Sequence, residues 1–317
     1  MHLVTFHTEY GTRIGAVINE HVLDLQMACE LYYAERGHGK PHVLARALFP
    51  TSMVDFLQGG NEAMDLARTL AADFLDYMGT PRVRKDLIER RIVAPLKGLR
   101  LAAPVPRPGK ILGLGLNYWD HAKEAKQEPP EVPAIFTKSP GCVIGPGDPI
   151  LLPKVSNQVD YEVEFAFVIG RRAKDVPDAR ALDYVAGYTI FHDVSARDYQ
   201  LVTSQWHIGK TFDTFGPMGP YLVTRDEVPN PHALDIELRL NGEIMQHSNT
   251  RNLVFGVPRL VAYLSSVMTL EPGDIVATGT PGGVGMYMDP PRFLRPGDVC
   301  NLTIEKLGTL ENPVAAA

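Results

Sequence analysis

The sequence predicts an α+β protein dominated by strands, with a small α+β unit over residues 1–100 and a larger catalytic-type domain over residues 101–317. Three observations carry that expectation: strand-like and then helix-like runs before residue 80, a cluster of prolines between Ala94 and Lys110, and short apolar runs cut by Gly and Pro thereafter. Alternating segments at His2 to His7 and Arg13 to Ile18 read as strands. Helical periodicity follows around Leu25 to Ala34, Ser52 to Leu57 and Asn61 to Tyr77. Pro95, Pro104, Pro106 and Pro108 can neither continue a helix nor donate to a strand ladder, so the connector between the two units is placed there. Strands are then expected at Ile111 to Leu114, Ala134 to Thr137, Tyr161 to Ile169, Ala186 to His192 and Ile236 to Leu240. Asn241-Gly242 accepts positive φ at both turn positions and predicts a tight hairpin. An apolar helix from Leu253 to Met268, interrupted by Pro258, and a strand from Asp274 to Thr278 complete the reading.

The chain has 317 residues, 45% hydrophobic and 21% charged, the composition of a folded globular protein. A net charge of -6 and a pI near 5.9 leave no basic surface for displacing counterions from phosphates, so nucleic acid is not an expected partner. No basic segment precedes an apolar core at the start, and no run is long enough to span a bilayer; the expectation is a cytoplasmic protein without a membrane partner. Cys29, Cys142 and Cys300 are odd in number and far apart, and are expected to be buried apolar fillers. Thr280-Pro281-Gly282-Gly283-Val284-Gly285 lacks the ending of a phosphate loop, Gly113-Leu114-Gly115 lacks the third glycine of a dinucleotide fingerprint, and no Gly-x-Ser-x-Gly elbow is present. Nucleotide binding and serine hydrolysis are therefore disfavoured.

The chemistry is concentrated in acids. In Asp160-Tyr161-Glu162-Val163-Glu164-Phe165, strand alternation sets Asp160, Glu162 and Glu164 on one face and apolar residues on the other. Glu162 and Glu164 would lie about 7 Å apart along such a strand. Two readings stand: a solvated edge strand, or a shielded face whose charge is met by protonation or a cation. Asp193, ending another apolar strand, is a third acid, and an all-oxygen set suits magnesium, manganese or calcium better than zinc. His121 and Glu124 stand one helical turn apart after the capping-type Asn117, as a solvated pair or as a general base oriented by a carboxylate. The following Gln127 to Pro133, polar and rich in proline, has the composition of a lid. Arg197 and Gln200 would face the same way on a helical turn, and Lys210 lies in an irregular stretch; each is a surface ion-pair residue or a substrate contact.

Taken in order, Gly115-Leu116-Asn117-Tyr118 with His121 and Glu124, Asp160-Tyr161-Glu162-Val163-Glu164, Asp193 to Asp198, Gly209-Lys210-Thr211-Phe212-Asp213, and Thr278 to Gly285 resemble the fumarylacetoacetate hydrolase family from about Leu112 to Val314. The resemblance implies a mixed β-sandwich roll, usually assembled as a homodimer, that binds Mg2+ or Mn2+ through Glu162, Glu164 and Asp193. It further implies that Tyr118, Arg197, Gln200 and Thr280 hold a small 2-oxo acid substrate, that Lys210 stabilises an oxyanion, and that His121 and Glu124 activate water. The expected reaction is cleavage of a carbon-carbon bond in an acylpyruvate-type 2,4-dioxo acid. Alternatives are decarboxylation of an oxaloacetate-type acid, isomerisation of a 2-hydroxyhepta-2,4-diene-1,7-dioate-type acid, and, from another class, small-molecule binding without catalysis on the same fold.

Overall fold

The computed structural model describes residues 1–317. Its largest element is an open twelve-stranded sheet. The first hairpin, His2–Thr8 and Gly11–Ile18, is extended on one side by His21–Asp24 and Val93–Pro95 and on the other by Gly216–Thr224. Beyond that the order runs through Val185–His192, Val163–Ile169, Ile275–Ala277, Ile111–Gly115 and Ala134–Lys138. A second, five-stranded sheet contains the hairpin Asp235–Leu240 and Glu243–Asn249 together with Val299–Ile304, Gly308–Ala316 and Ile150–Leu152.

The sequence break near residue 100 is bridged by hydrogen bonding. His2 pairs with Val223 and Leu3 with Leu222 in antiparallel register, so the N-terminal hairpin continues the main sheet edge to edge. Within the proline-rich connector, Leu101–Ala102 adds to the same hairpin. One cluster of 69 buried side chains runs from Leu3 to Val314, so the two units share a core and do not present separate ones.

Local chemistry explains the helices. Asp24 accepts from the Met27 N–H and caps Leu25–Glu35, and Ser52 caps Met53–Gln58 in the same way. The long helix Gly60–Met78 buries Ala63, Ala67, Leu70, Phe74 and Met78, an i, i+4 and i+3 stripe facing the sheet. Two helices beyond the sequence reading, Pro41–Leu48 and Pro81–Glu89, each open on a proline. The same rule corrects the expectation at Pro258. It does not interrupt the helix but lies in the first turn of Val257–Val267, where a missing N–H costs nothing. Asn241 and Gly242 adopt φ of 54° and 85° and close their hairpin as the dipeptide requires. All three cysteines are free and buried. No helix is long and apolar enough to cross a membrane.

Leu3 is wholly buried at the junction of the two units. Leu3→Ala should cost about 2–5 kcal/mol of unfolding free energy. Because the sheet is continuous, thermal unfolding of the variant followed by calorimetry should remain one transition; a separate early melt of the first 100 residues would contradict a shared core.

Candidate metal centre and the cavity above it

The acidic stretch is shielded, which removes the solvated-edge reading. Every residue from Val159 to Ile169 is buried, and the Val163–Ile169 strand is paired on both sides. It also departs from a single run of alternation. Val159–Asp160 is a separate short strand against Ser195–Ala196, and strand pairing is interrupted at Tyr161-Glu162 before the long strand begins. There the Val163 N–H donates to Gln246 Oε1, and the Glu162 carbonyl accepts from the Asp193 N–H. Glu162, Glu164 and Asp193 come together there, with one carboxylate oxygen of each within 4.8 Å of the others. Asp160 goes elsewhere: its carboxylate accepts from Arg197 Nε at 2.9 Å and from the Gly285 and Met286 N–H groups.

Three buried cations surround the acids. Lys210 Nζ donates to Glu162 Oε2 at 2.8 Å and to Asp193 Oδ2 at 2.6 Å. Arg197 places Nη2 2.7 Å from Glu162 Oε1, an ion pair without hydrogen-bond alignment, while its Nη1 donates to Gln200 Oε1. The third is Lys138, which the sequence reading missed. Its Nζ donates to Asp193 Oδ1 and to the Val194 carbonyl. No local signal marked it, since Ala134–Lys138 is the last strand of its sheet and only Lys138 in it is fully buried.

These contacts split the acids electrostatically. Burial pushes the Glu162 carboxyl up, but Lys210 and Arg197 outweigh it and hold the group well below the usual carboxylate range. Glu164 has only the Gly279 N–H as donor, and burial, followed by the charges of Asp193 and Glu162, raises it well above that range. Burial lowers Lys210, yet Asp193 and Glu162 more than restore it and leave the ammonium pKa raised. A buried, oxygen-only set holding one uncompensated carboxylate fits a hard divalent cation such as Mg2+ or Mn2+.

Above the cluster lies a cavity of about 120 Å3 whose walls include Glu162, Arg197, Gln200, Lys210, Thr280 and His121. Thr280 is fixed by donating to the Val163 carbonyl and accepting from Gln246. His121 and Glu124 sit on the short helix Trp119–Glu124. His121 Nδ1 lies 3.2 Å from Glu124 Oε2, and Glu124 Oε1 accepts from the Gly283 N–H at 2.9 Å. Two sequence readings are corrected here. Asn117 does not cap this helix: its amide is spent on the backbone of Phe255 and Thr278, an arrangement that locks the helix entry to two distant segments. Tyr118, expected to touch substrate, is wholly buried outside the cavity wall, with its hydroxyl unpartnered; burial and then Glu164 drive that hydroxyl well above its ordinary pKa. Phe136, Trp206 and Tyr287 are wall residues that sequence reasoning did not single out.

The Fumarylacetoacetate (FAA) hydrolase C-terminal family model matches residues 110–315, about two thirds of the chain and the whole of this site. The chain belongs to the fumarylacetoacetate hydrolase family. It is 45% identical over 266 residues to "Oxaloacetate tautomerase Fahd2a, mitochondrial" of Rattus norvegicus, covering 84% of this chain and 80% of the relative. Among solved structures, a fumarylacetoacetate hydrolase from Exiguobacterium antarcticum superimposes with a TM-score of 0.79 at 32% identity, over all of both chains. A maleylpyruvate hydrolase from Sphingobium sp. SYK-6, in complex with manganese (II) ion and pyruvate, does so at 0.70 and 29% identity, again over all of both chains. The fold of this family member is thus a mixed, strand-rich α+β architecture with open sheets.

The raised Glu164 pKa has a definite sign in stability. Its contribution is present below the ordinary carboxylate value and is lost as pH rises through the raised one. In chelator, the melting temperature of Glu164→Gln relative to the parent should therefore climb between pH 5 and pH 8. Added Mg2+ or Mn2+ should stabilise the parent more than the variant. A pH-independent offset would argue against charge crowding at Glu164.

Proposed function

We propose that the chain moves a proton at carbon 3 of a small 2-oxo acid, interconverting its enol and keto forms. The observation that carries this reading is that His121, paired with Glu124, lines the same cavity as Glu162, whose carboxylate belongs to the cluster with Glu164 and Asp193. A divalent cation held by those three residues would supply Lewis-acid polarisation of the oxo acid's oxygens. Glu124 is held by the Gly283 N–H and in turn holds His121 through Nδ1, which leaves Nε2 to give or take the substrate proton. Lys210 offers a positive charge to an oxygen on which negative charge develops. Arg197 and Gln200, braced against each other and Asp160, present donors to the edge of the acid. The name of the rat relative supports tautomerisation as the reaction.

A second reading is favoured by the same pair together with Lys210: His121 directs water onto the distal carbonyl of an acylpyruvate, Lys210 receives the oxyanion, and the carbon-carbon bond breaks. Maleylpyruvate hydrolase is the structural relative that supports it.

Acetylpyruvate separates the two. Loss of enol absorbance without pyruvate release supports tautomerisation, and stoichiometric pyruvate and acetate support hydrolysis. With either substrate class, chelator should abolish turnover and Mg2+ or Mn2+ restore it. His121→Gln should lower kcat by about 100- to 10,000-fold with KM changed only a few-fold. Undiminished turnover in that variant would remove the pair from proton transfer.

A further inference from the structure

One side chain of the second sheet reaches the acid-bearing strand of the first. Gln246, on the strand Glu243–Asn249, is buried, and both hydrogens of its amide are committed. Its Oε1 accepts from the Val163 N–H at 2.9 Å, while its Nε2 donates to Thr280 Oγ1 at 2.8 Å and to the Pro281 carbonyl at 2.9 Å. Gly283, at a φ of 103°, permits this approach of loop to strand, since a Cβ there would collide with the Met245 carbonyl. Thr280 Oγ1 then donates to the Val163 carbonyl at 3.0 Å and closes a ring of hydrogen bonds around the residue between Glu162 and Glu164.

The direction of every bond in that ring is set by the backbone. A peptide N–H only donates, so the atom facing it from Gln246 is the amide oxygen; a peptide carbonyl only accepts, so the atom facing Pro281 is the amide nitrogen. Thr280 therefore receives a hydrogen from Gln246 and spends its own on Val163. A hydroxyl has one hydrogen and two lone pairs, so a single lone pair is all that Thr280 retains for the cavity it lines. Its neighbours there serve the opposite purpose. Lys210 and Arg197 are cations, and Gln200, whose Oε1 is taken by Arg197 Nη1, keeps its amide hydrogens for an acceptor. The Glu162 carboxylate is already met by Lys210 and Arg197. We propose that Gln246 is a positioning residue that makes Thr280 an obligate hydrogen-bond acceptor, so that the site grips the hydroxyl of an enolised 2-oxo acid more tightly than the carbonyl of its keto form. A keto oxygen would face the Thr280 lone pair with no hydrogen between them. The proposal rests on the 2-oxo acid reading above and specifies which tautomer is held.

Glycolate and pyruvate are both monoanions, and carry a donor and an acceptor, respectively, at carbon 2. In calorimetry with Mg2+, Thr280→Val should weaken glycolate about five- to tenfold, the loss of one neutral hydrogen bond, and leave pyruvate within about twofold. Thr280→Ser retains the hydroxyl and should bind both as the parent does. Gln246→Met leaves that hydroxyl in place but free to turn; it should weaken glycolate relative to pyruvate, and this effect should vanish in a Thr280→Val background. A merely structural role for Gln246 would weaken both acids together. Equal losses of the two acids in Thr280→Val, or no loss of either, would overturn the proposal. So would a Thr280→Ser variant as poor for glycolate as Thr280→Val, which would assign the contact to the methyl group. Weaker binding of Mg2+ alone in Thr280→Val would also overturn it, by assigning the lone pair to the hydration of the ion. If the parent binds neither acid, the 2-oxo acid reading falls and this inference with it.

Discussion

Buried charge organises this molecule. Asp160, Glu162, Glu164 and Asp193 are buried beside Lys138, Arg197 and Lys210, four formal negative charges against three positive. Each ion loses several kcal/mol of hydration, recovered only through close pairing. The structure meets that demand from many directions. Lys138 arrives on the end of one strand, Asp193 just beyond another, Arg197 and Lys210 on short turns, and backbone N–H groups of Gly279, Gly285 and Met286 complete the acceptors. The one acid without a cationic partner is Glu164, so the residual negative charge falls where a divalent ion fits.

The segment from Thr278 to Met286 ties this cluster to the rest of the cavity. Gly279 holds Glu164, Thr280 is pinned to Val163, Gly283 holds Glu124, and Gly285 with Met286 holds Asp160. A loop that resembles a phosphate cradle in composition thus spends its N–H groups on the protein's own carboxylates. It couples the His121–Glu124 helix to the acids beneath through its backbone, and places Thr280 in the cavity wall. His192 marks the opposite treatment of polarity: burial and then Lys138 lower its pKa to about 3, and both ring nitrogens lack partners, so a neutral imidazole sits behind the cluster.

Much of the fold was legible because it depends on local rules. Alternation marked the strands around Val163–Ile169 and Val185–His192, Asn241-Gly242 fixed a hairpin, and periodicity placed helices near Leu25 and Ser52. Pro258 was misread because proline signals both the break and the beginning of a helix, and only the position of the first turn separates the two. The junction of the N-terminal hairpin with Gly216–Thr224 was not legible. It joins residues more than 200 positions apart, and no periodicity reports which edge a strand will find.

At the site, residue types and their order determined the candidates: three acids for a cation, His121 with Glu124 for a proton, and Arg197, Gln200 and Lys210 for an anion. Local spacing could not say that Asp160 would leave the acidic face to hold Arg197, since Asp160 belongs to a separate short strand that ends before Tyr161-Glu162. It could not reveal Lys138, whose significance depends wholly on being buried against Asp193, nor show that Tyr118 points into the core. Nor could it bring Gln246 to Val163, 83 positions earlier, and to Thr280. The sequence by itself determined which chemical groups were available; the tertiary structure decided which charges meet, because ion pairing and shielding are properties of distance in space.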